Sequence, residues 1–216
     1  MHTYIYMEKY LKNSDYKNIN IDTLVTCNNG GLLAGGTSEI ELLTDHTHKY
    51  ILKKIVNNKV LLYWKDSYED GIELLKNEHE YLNLIDKYIY FPTLFSYDLN
   101  KATLLLSYVG NNVLNTDKIP NDWKTQLKDI YTILKEHDIY HNDIFGGNIC
   151  ILDNRIYLID FGQTSSDTPN YPWFNLSLKF INNSDTIYEM FEKILNAGMN
   201  IIASLYIHNK TDNRLN

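Results

Sequence analysis

The sequence predicts an α+β protein in two parts, an antiparallel sheet carrying one helix and then a shortened, mainly helical portion. Three observations carry that expectation. Short apolar runs broken by Gly, Asn and Asp fill residues 23–56, the pattern of antiparallel strands. Two longer stretches, 68–87 and 122–137, repeat apolar residues at helical spacing. Between the two parts, "YVGNNVLNTDK" (108–118) reads as a connector. The expected organisation is a lead-in over 1–22, a sheet-rich lobe over 23–108 and a truncated second lobe over 109–216.

In chain order, "TLVTC", "EIELL", "YILKKIV" and "VLLYW" are the first candidate strands. The helix over Tyr68 to Lys87 aligns Leu74, Leu75, Leu82 and Ile85 on one face. "FPTLFSYD" and "ATLLLSYVG" add two strands. Pro120 and Asn121 open a second amphipathic helix, with Trp123, Leu127, Ile130, Ile133 and Leu134 as its apolar side. "NICILD" and "RIYLIDFG" form a hairpin around Asp153-Asn154. After a polar loop, Ser184 or Asp185 is the expected cap of a closing helix with Ile187, Phe191, Ile194 and Leu195 on its apolar face. Helical character resumes through Ile201, Ile202 and Leu205.

Composition excludes some functions. A formal net charge of −7 lacks the basic footprint of a nucleic-acid binder. No apolar run is long enough to span a bilayer, and the N-terminal stretch lacks the pattern of a secretory signal. Two cysteines far apart, Cys27 and Cys150, suit a reducing compartment, so a cytoplasmic location is expected. The wealth of Asn, Ile, Lys and Tyr suits an AT-rich genome, such as those of some large DNA viruses, where the location would be the host cytoplasm.

The informative stretch is "YHNDIFGGNICILDNRIYLIDFG", residues 140–162. It places His-x-Asp, then Asn five residues after that Asp, then Asp-Phe-Gly twelve after the Asn. Phosphoryl transfer needs metal ions on the phosphates, a cation to hold them and a carboxylate to orient the incoming hydroxyl. Asp143 supplies that carboxylate. Asn148 and Asp160 supply hard oxygen ligands for magnesium, returned to one place by the hairpin. Gly162 is expected to permit the backbone turn after the metal ligand.

"HNDIFGGN" followed by "IDFG" resembles the catalytic loop and metal-binding segment of the protein-kinase-like superfamily. The resemblance implies a two-lobed fold, ATP and magnesium as cofactors, and further residues upstream. "KYILKKIV" is similar to the family's lysine strand, making Lys53 the phosphate-pairing cation. A helix glutamate should hold it; Glu78 lies on the apolar face and Glu80 on the polar one, and both remain candidates, with periodicity favouring Glu78. Gly35 and Gly36 lie where the family's phosphate-covering glycines do, although "GGLLAGG" departs from the motif. "LLLSYVGNN" is similar to the hinge, whose backbone from Ser107 to Val109 would bond adenine.

The departures bear on substrate and control. Asn142 stands where the family carries arginine, so control through a phosphorylated loop is expected to be absent. Phe145 replaces a lysine usual in serine/threonine kinases, and "DIFGGN" is similar to small-molecule kinases. Only 54 residues follow Gly162, a truncation similar to the small kinase of the KEOPS complex. "TPNYPWFN" is the candidate substrate-facing segment. The leading expectation is a minimal serine/threonine protein kinase acting on a protein, with a partner subunit completing the short lobe. A small-molecule kinase and a non-catalytic nucleotide-binding scaffold remain the alternatives. His141 is expected to pack beneath the loop or to lie on the surface.

Overall fold

The computed structural model describes residues 12, 19, 21–27, 33, 34, 38–56 and 68–212. Gly35, Gly36 and the candidate strand "VLLYW" lie outside the described residues, as does most of the expected lead-in.

The first sheet contains β1 (Val25–Thr26), β2 (Leu33–Ala34), β3 (Glu39–Thr44), β4 (Lys49–Lys54), β5 (Leu94–Asp98) and β6 (Thr103–Ser107). Its order is β1-β3-β4-β6-β5, with β2 also on β3, and every pairing is antiparallel. Helix α1 (Tyr68–Ile85) packs on this sheet through Leu75, Leu82 and Ile85, all essentially inaccessible. The opposite face carries a smaller apolar cluster of Leu43, Tyr50 and Leu105. Strand alternation produces this division, because successive side chains leave a strand on opposite faces.

A second, three-stranded sheet joins β7 (Asn111–Asn112), β8 (Ile149–Leu152) and β9 (Arg155–Leu158). The β8–β9 turn places Asp153 and Asn154 at φ 50° and 61°, the left-handed pair of a two-residue hairpin that Asp and Asn tolerate. The expected connector thus contributes a strand, since Asn111 and Asn112 pair with Ile151 and Cys150. Helix α2 (Trp123–Glu136) buries Leu127, Ile130 and Ile133 completely, joining the main core.

The segment read as a polar loop holds a short helix, α3 (Leu178–Asn182), started by Ser177, whose side chain accepts the Lys179 N–H. Closing helix α4 runs over Ile187–Asp212. Its N-terminal contacts differ from the expected ones. Thr186 Oγ1 accepts the Glu189 N–H at 3.1 Å while Glu189 reaches back to the Asp185 N–H at 2.6 Å, a reciprocal arrangement close to a capping box. The Ser184 hydroxyl instead donates to Phe180 O. Leu195, expected on the buried face, is 50% exposed.

Among the described residues no helix is long and apolar enough to cross a membrane. Cys27 and Cys150 are both free thiols.

Candidate active site

Lys53 sits near the end of β4 between Ile40 and Leu104 of the flanking strands. The strand directs it inward, and it is only 8% exposed, while Lys54 faces solvent. A buried ammonium requires partners. Lys53 Nζ has two, donating to Glu78 Oε2 at 2.6 Å and Asp160 Oδ1 at 2.7 Å. Burial works against its charge, but the two carboxylates outweigh it and hold the ammonium above the usual lysine range. Glu78 is 1% exposed on the inner face of α1, and Glu80 is exposed. Helical periodicity puts them on opposite sides, so the pairing glutamate is Glu78.

The loop before β8 brings up the second group. Asn148 Nδ2 donates to the Asp143 backbone O at 2.9 Å and to its Oδ2 at 2.8 Å, so the amide positions the aspartate side chain. Burial first, and the nearby Asp160 second, push the Asp143 carboxyl up to about 6. The β8–β9 hairpin returns the chain so that the Ile159 N–H bonds Asn148 O at 3.0 Å, setting Asp160 beside Asn148. The Asp160 carboxyl is pulled below its ordinary value: partial burial opposes ionisation, and the Lys53 ammonium overrides it.

The turn after the metal-ligand position differs from expectation. Asp160 itself occupies the left-handed region, at φ 64°, whereas Gly162 is not among the positive-φ residues. A non-glycine residue there is strained, and the surrounding contacts must hold it. Phe161, fully buried, anchors the segment edge-to-face against Phe91 and His141. Gly162 lies against α1, where a Cβ would meet Leu74 at 3.4 Å. His141 is inaccessible beneath the loop, bonded through Nε2 to Ile159 O at 2.9 Å, and burial depresses its pKa to about 4.

These groups surround a cleft of about 210 Å³, lined by Lys53, Ile55, Leu75, Asp143, Asn148 and Asp160, among others. Asn148 spends its amide hydrogens on Asp143, and Asp160 commits Oδ1 to Lys53 while its side chain remains 45% exposed. Asn148 Oδ1 and Asp160 Oδ2 are therefore oxygen donors suited to magnesium. Among the described residues no cluster of three or more His, Cys, Asp or Glu forms a metal cage. That composition fits an ion completing its shell with water and phosphate oxygens, as magnesium does.

The hinge segment is partly committed elsewhere. The Ser107 N–H donates to Thr93 O at 2.9 Å and the Tyr108 N–H to Lys49 O at 3.1 Å, so neither N–H is free for adenine. Val109 is buried beside them.

Three asparagines, Asn77, Asn142 and Asn175, support the site; of these the sequence reading singled out only Asn142, as the residue standing in place of an arginine. Asn77 of α1 donates to Gly162 O and Thr164 O at 2.7 and 2.8 Å, latching the helix to the segment after Asp160. Asn142, at φ 63°, donates from its backbone to Asn175 and from its side chain to Gln163 and Ser165. Its Oδ1 accepts from the Tyr171 N–H and from Asn175. The sequence signal was slight: asparagine tolerates left-handed backbone better than most residues, and nothing marked its partners.

A crystal structure of the Rio2 kinase from Chaetomium thermophilum, in a complex with ADP, magnesium and phosphoaspartate, superposes with a TM-score of 0.55 at 18% identity, covering 71% of this chain and 52% of that one. The chain has a protein-kinase-like fold. Among curated proteins, it is 29% identical over 148 residues to the dual specificity protein kinase Ttk of Danio rerio, covering 63% of this chain and 14% of that protein. It is also 30% identical over 96 residues to a probable bifunctional tRNA threonylcarbamoyladenosine biosynthesis protein of Methanosphaera stadtmanae, covering 42% of this chain and 18% of that one. The kinase-like chain thus spans less than a fifth of either relative. No family model matches it.

Proposed function

We propose that the protein is an ATP- and magnesium-dependent phosphotransferase acting on serine or threonine hydroxyls of a protein, in a reducing compartment such as the cytoplasm. The observation that carries this reading is the pairing of Lys53 with Glu78 and Asp160 across one cleft from Asp143 and Asn148. The relatives and the Rio2 complex with ADP and magnesium support it by analogy of fold.

Each group has a defined task. Lys53 binds phosphate oxygens, and Glu78 keeps its ammonium in the cleft. Asn148 and Asp160 would hold magnesium, which when bound neutralises charge on the phosphates. Asp143 accepts the proton of the acceptor hydroxyl while the acceptor oxygen bonds to the γ-phosphorus. The bond from that phosphorus to the bridging oxygen breaks, and ADP leaves with the electron pair. A scaffold has no chemical need for Asp143, which favours turnover.

The test is transfer of labelled phosphate from ATP to protein and metabolite panels by wild type and Asp143→Asn. The variant is expected to lose about 10²-fold or more in rate, in keeping with loss of a general base, while retaining ATP binding. Equal activity in both proteins would remove Asp143 from the mechanism.

A further inference from the structure

A second cavity, about 440 Å³, opens on the other side of Asp143. Asp143 and Phe145 line both this cavity and the nucleotide-side cleft, so the two spaces meet at the proposed base. The second cavity is walled by Leu114, Phe145, Phe174, Phe191 and Leu195, with Asp143 and Glu192 as its charged lining residues. Three of the apolar walls are strongly exposed: Leu114 at 61%, Leu195 at 50% and Phe145 at 46%. Clustered exposure of large apolar side chains marks an interaction site.

The walls are built into the catalytic loop. A Cβ at Gly146 would meet Leu114 Cδ2 at 2.6 Å, and one at Gly147 would meet the Phe145 ring at 2.4 Å. The two glycines let both side chains lie against the loop. Phe174 comes from "TPNYPWFN", where the Phe174 O accepts the Ile144 N–H at 2.7 Å.

We infer that this cavity receives the acceptor substrate, a polypeptide whose serine or threonine is flanked by a large apolar side chain. The inference rests on the phosphotransferase reading and deepens it. Continuity with the cleft through Asp143 puts an occupant's hydroxyl within reach of the base. A sugar or a polycationic aminocyclitol would leave most of its polar groups against aliphatic and aromatic walls, a costly desolvation. A leucine or phenylalanine side chain gains from the same walls. Among the described lining residues Glu192 and Asp143 supply negative charge and none is a lysine or arginine, so acidic flanking residues are disfavoured.

A library of serine peptides, each position replaced in turn by Leu, Phe, Gly or Asp, tests this with labelled ATP, alongside a hexose and an aminoglycoside. Wild type is expected to favour a Leu or Phe flank by about 10- to 100-fold in kcat/KM, the range that burying one apolar side chain supplies. Leu195→Asp and Leu114→Asp, both at exposed positions, should each reduce that preference about 10-fold. Their folding is checked by thermal unfolding. Binding of fluorescent copies carrying Ala for Ser is measured in parallel, without ATP. Preferential binding of apolar-flanked copies without any transfer would sustain the groove and sink the phosphotransferase reading. Transfer with no flank preference, faster transfer to either small molecule, or a preference unchanged in both variants would overturn the inference. So would self-association of wild type that both variants abolish, because the groove would then hold a second copy.

Discussion

Lys53 is the residue on which the site turns, because a nearly inaccessible ammonium persists only while its carboxylates remain. Lys53 keeps Asp160 when Glu78 is removed, so the loss is that of one buried charge-assisted hydrogen bond, about 1.5–3 kcal/mol. Glu78→Ala is therefore expected to lower unfolding free energy by about that amount in urea titrations. Glu80→Ala, exposed on the opposite face, should stay within about 0.5 kcal/mol of wild type. Equal losses in the two variants would mean that the Lys53–Glu78 pair contributes nothing to the fold. Lys53 and Glu78 were legible in the sequence because strand and helix periodicities assign a face to each residue. The strain at Asp160 was not legible: Gly162 is the residue with conformational freedom, yet the positive φ falls on the neighbouring aspartate, held there by Lys53 and the buried Phe161.

At the scale of elements, the site depends on three pieces meeting: β4 with Lys53, α1 with Asn77 and Glu78, and the β8–β9 hairpin with its flanking loops. The buried Asn142 ties its loop to Gln163, Ser165, Tyr171 and Asn175 through partly buried neutral hydrogen bonds, where the family resemblance placed an arginine. Asn142→Ala would remove several hydrogen bonds to half-buried or exposed partners, each contributing about 0.5–1.5 kcal/mol. The expected outcome is faster amide hydrogen exchange over residues 163–175, with β4 and β6 still protected. Unchanged exchange in that segment would show that the asparagine does not hold it. This network could not be read from the chain, since its partners are largely backbone atoms and small polar side chains placed by tertiary packing. Hairpins and amphipathic helices were readable because local spacing specifies them. Helix α3 and the Thr186 cap were missed for the same reason: short polar segments offer several equivalent capping residues, and packing selects among them.

For the whole molecule, the buried His141 makes stability depend on pH. Its pKa falls from 6.5 to about 4 on folding, chiefly through burial, so the unfolded chain takes up a proton before the folded one does. Stability is thus fully present above about pH 6.5 and declines as pH falls towards 4, by about 2 kcal/mol between pH 7 and 5. Asp143, raised to about 6, acts in the opposite sense over part of that range, because its folded form protonates first. Comparing the pH slope of unfolding free energy in wild type and His141→Gln isolates the histidine: the variant should lose less stability on acidification. Identical slopes would place His141 in a solvated environment, contrary to its inaccessibility. The family-level organisation was visible from the spacing of Asp143, Asn148 and Asp160 alone, whereas the proposed acceptor side was legible only in "TPNYPWFN", and the share of α4 in its cavity appeared only in the structure.

In the proposed mechanism Lys53, Asn148 and Asp160 grip a magnesium–nucleotide complex in one cleft. Calorimetric titration of ATP into wild type and Asp160→Asn, with and without magnesium, measures this directly. Wild type should bind ATP more tightly with magnesium than without, and Asp160→Asn should lose that difference. Magnesium-dependent binding of equal strength in the two proteins would contradict the assignment.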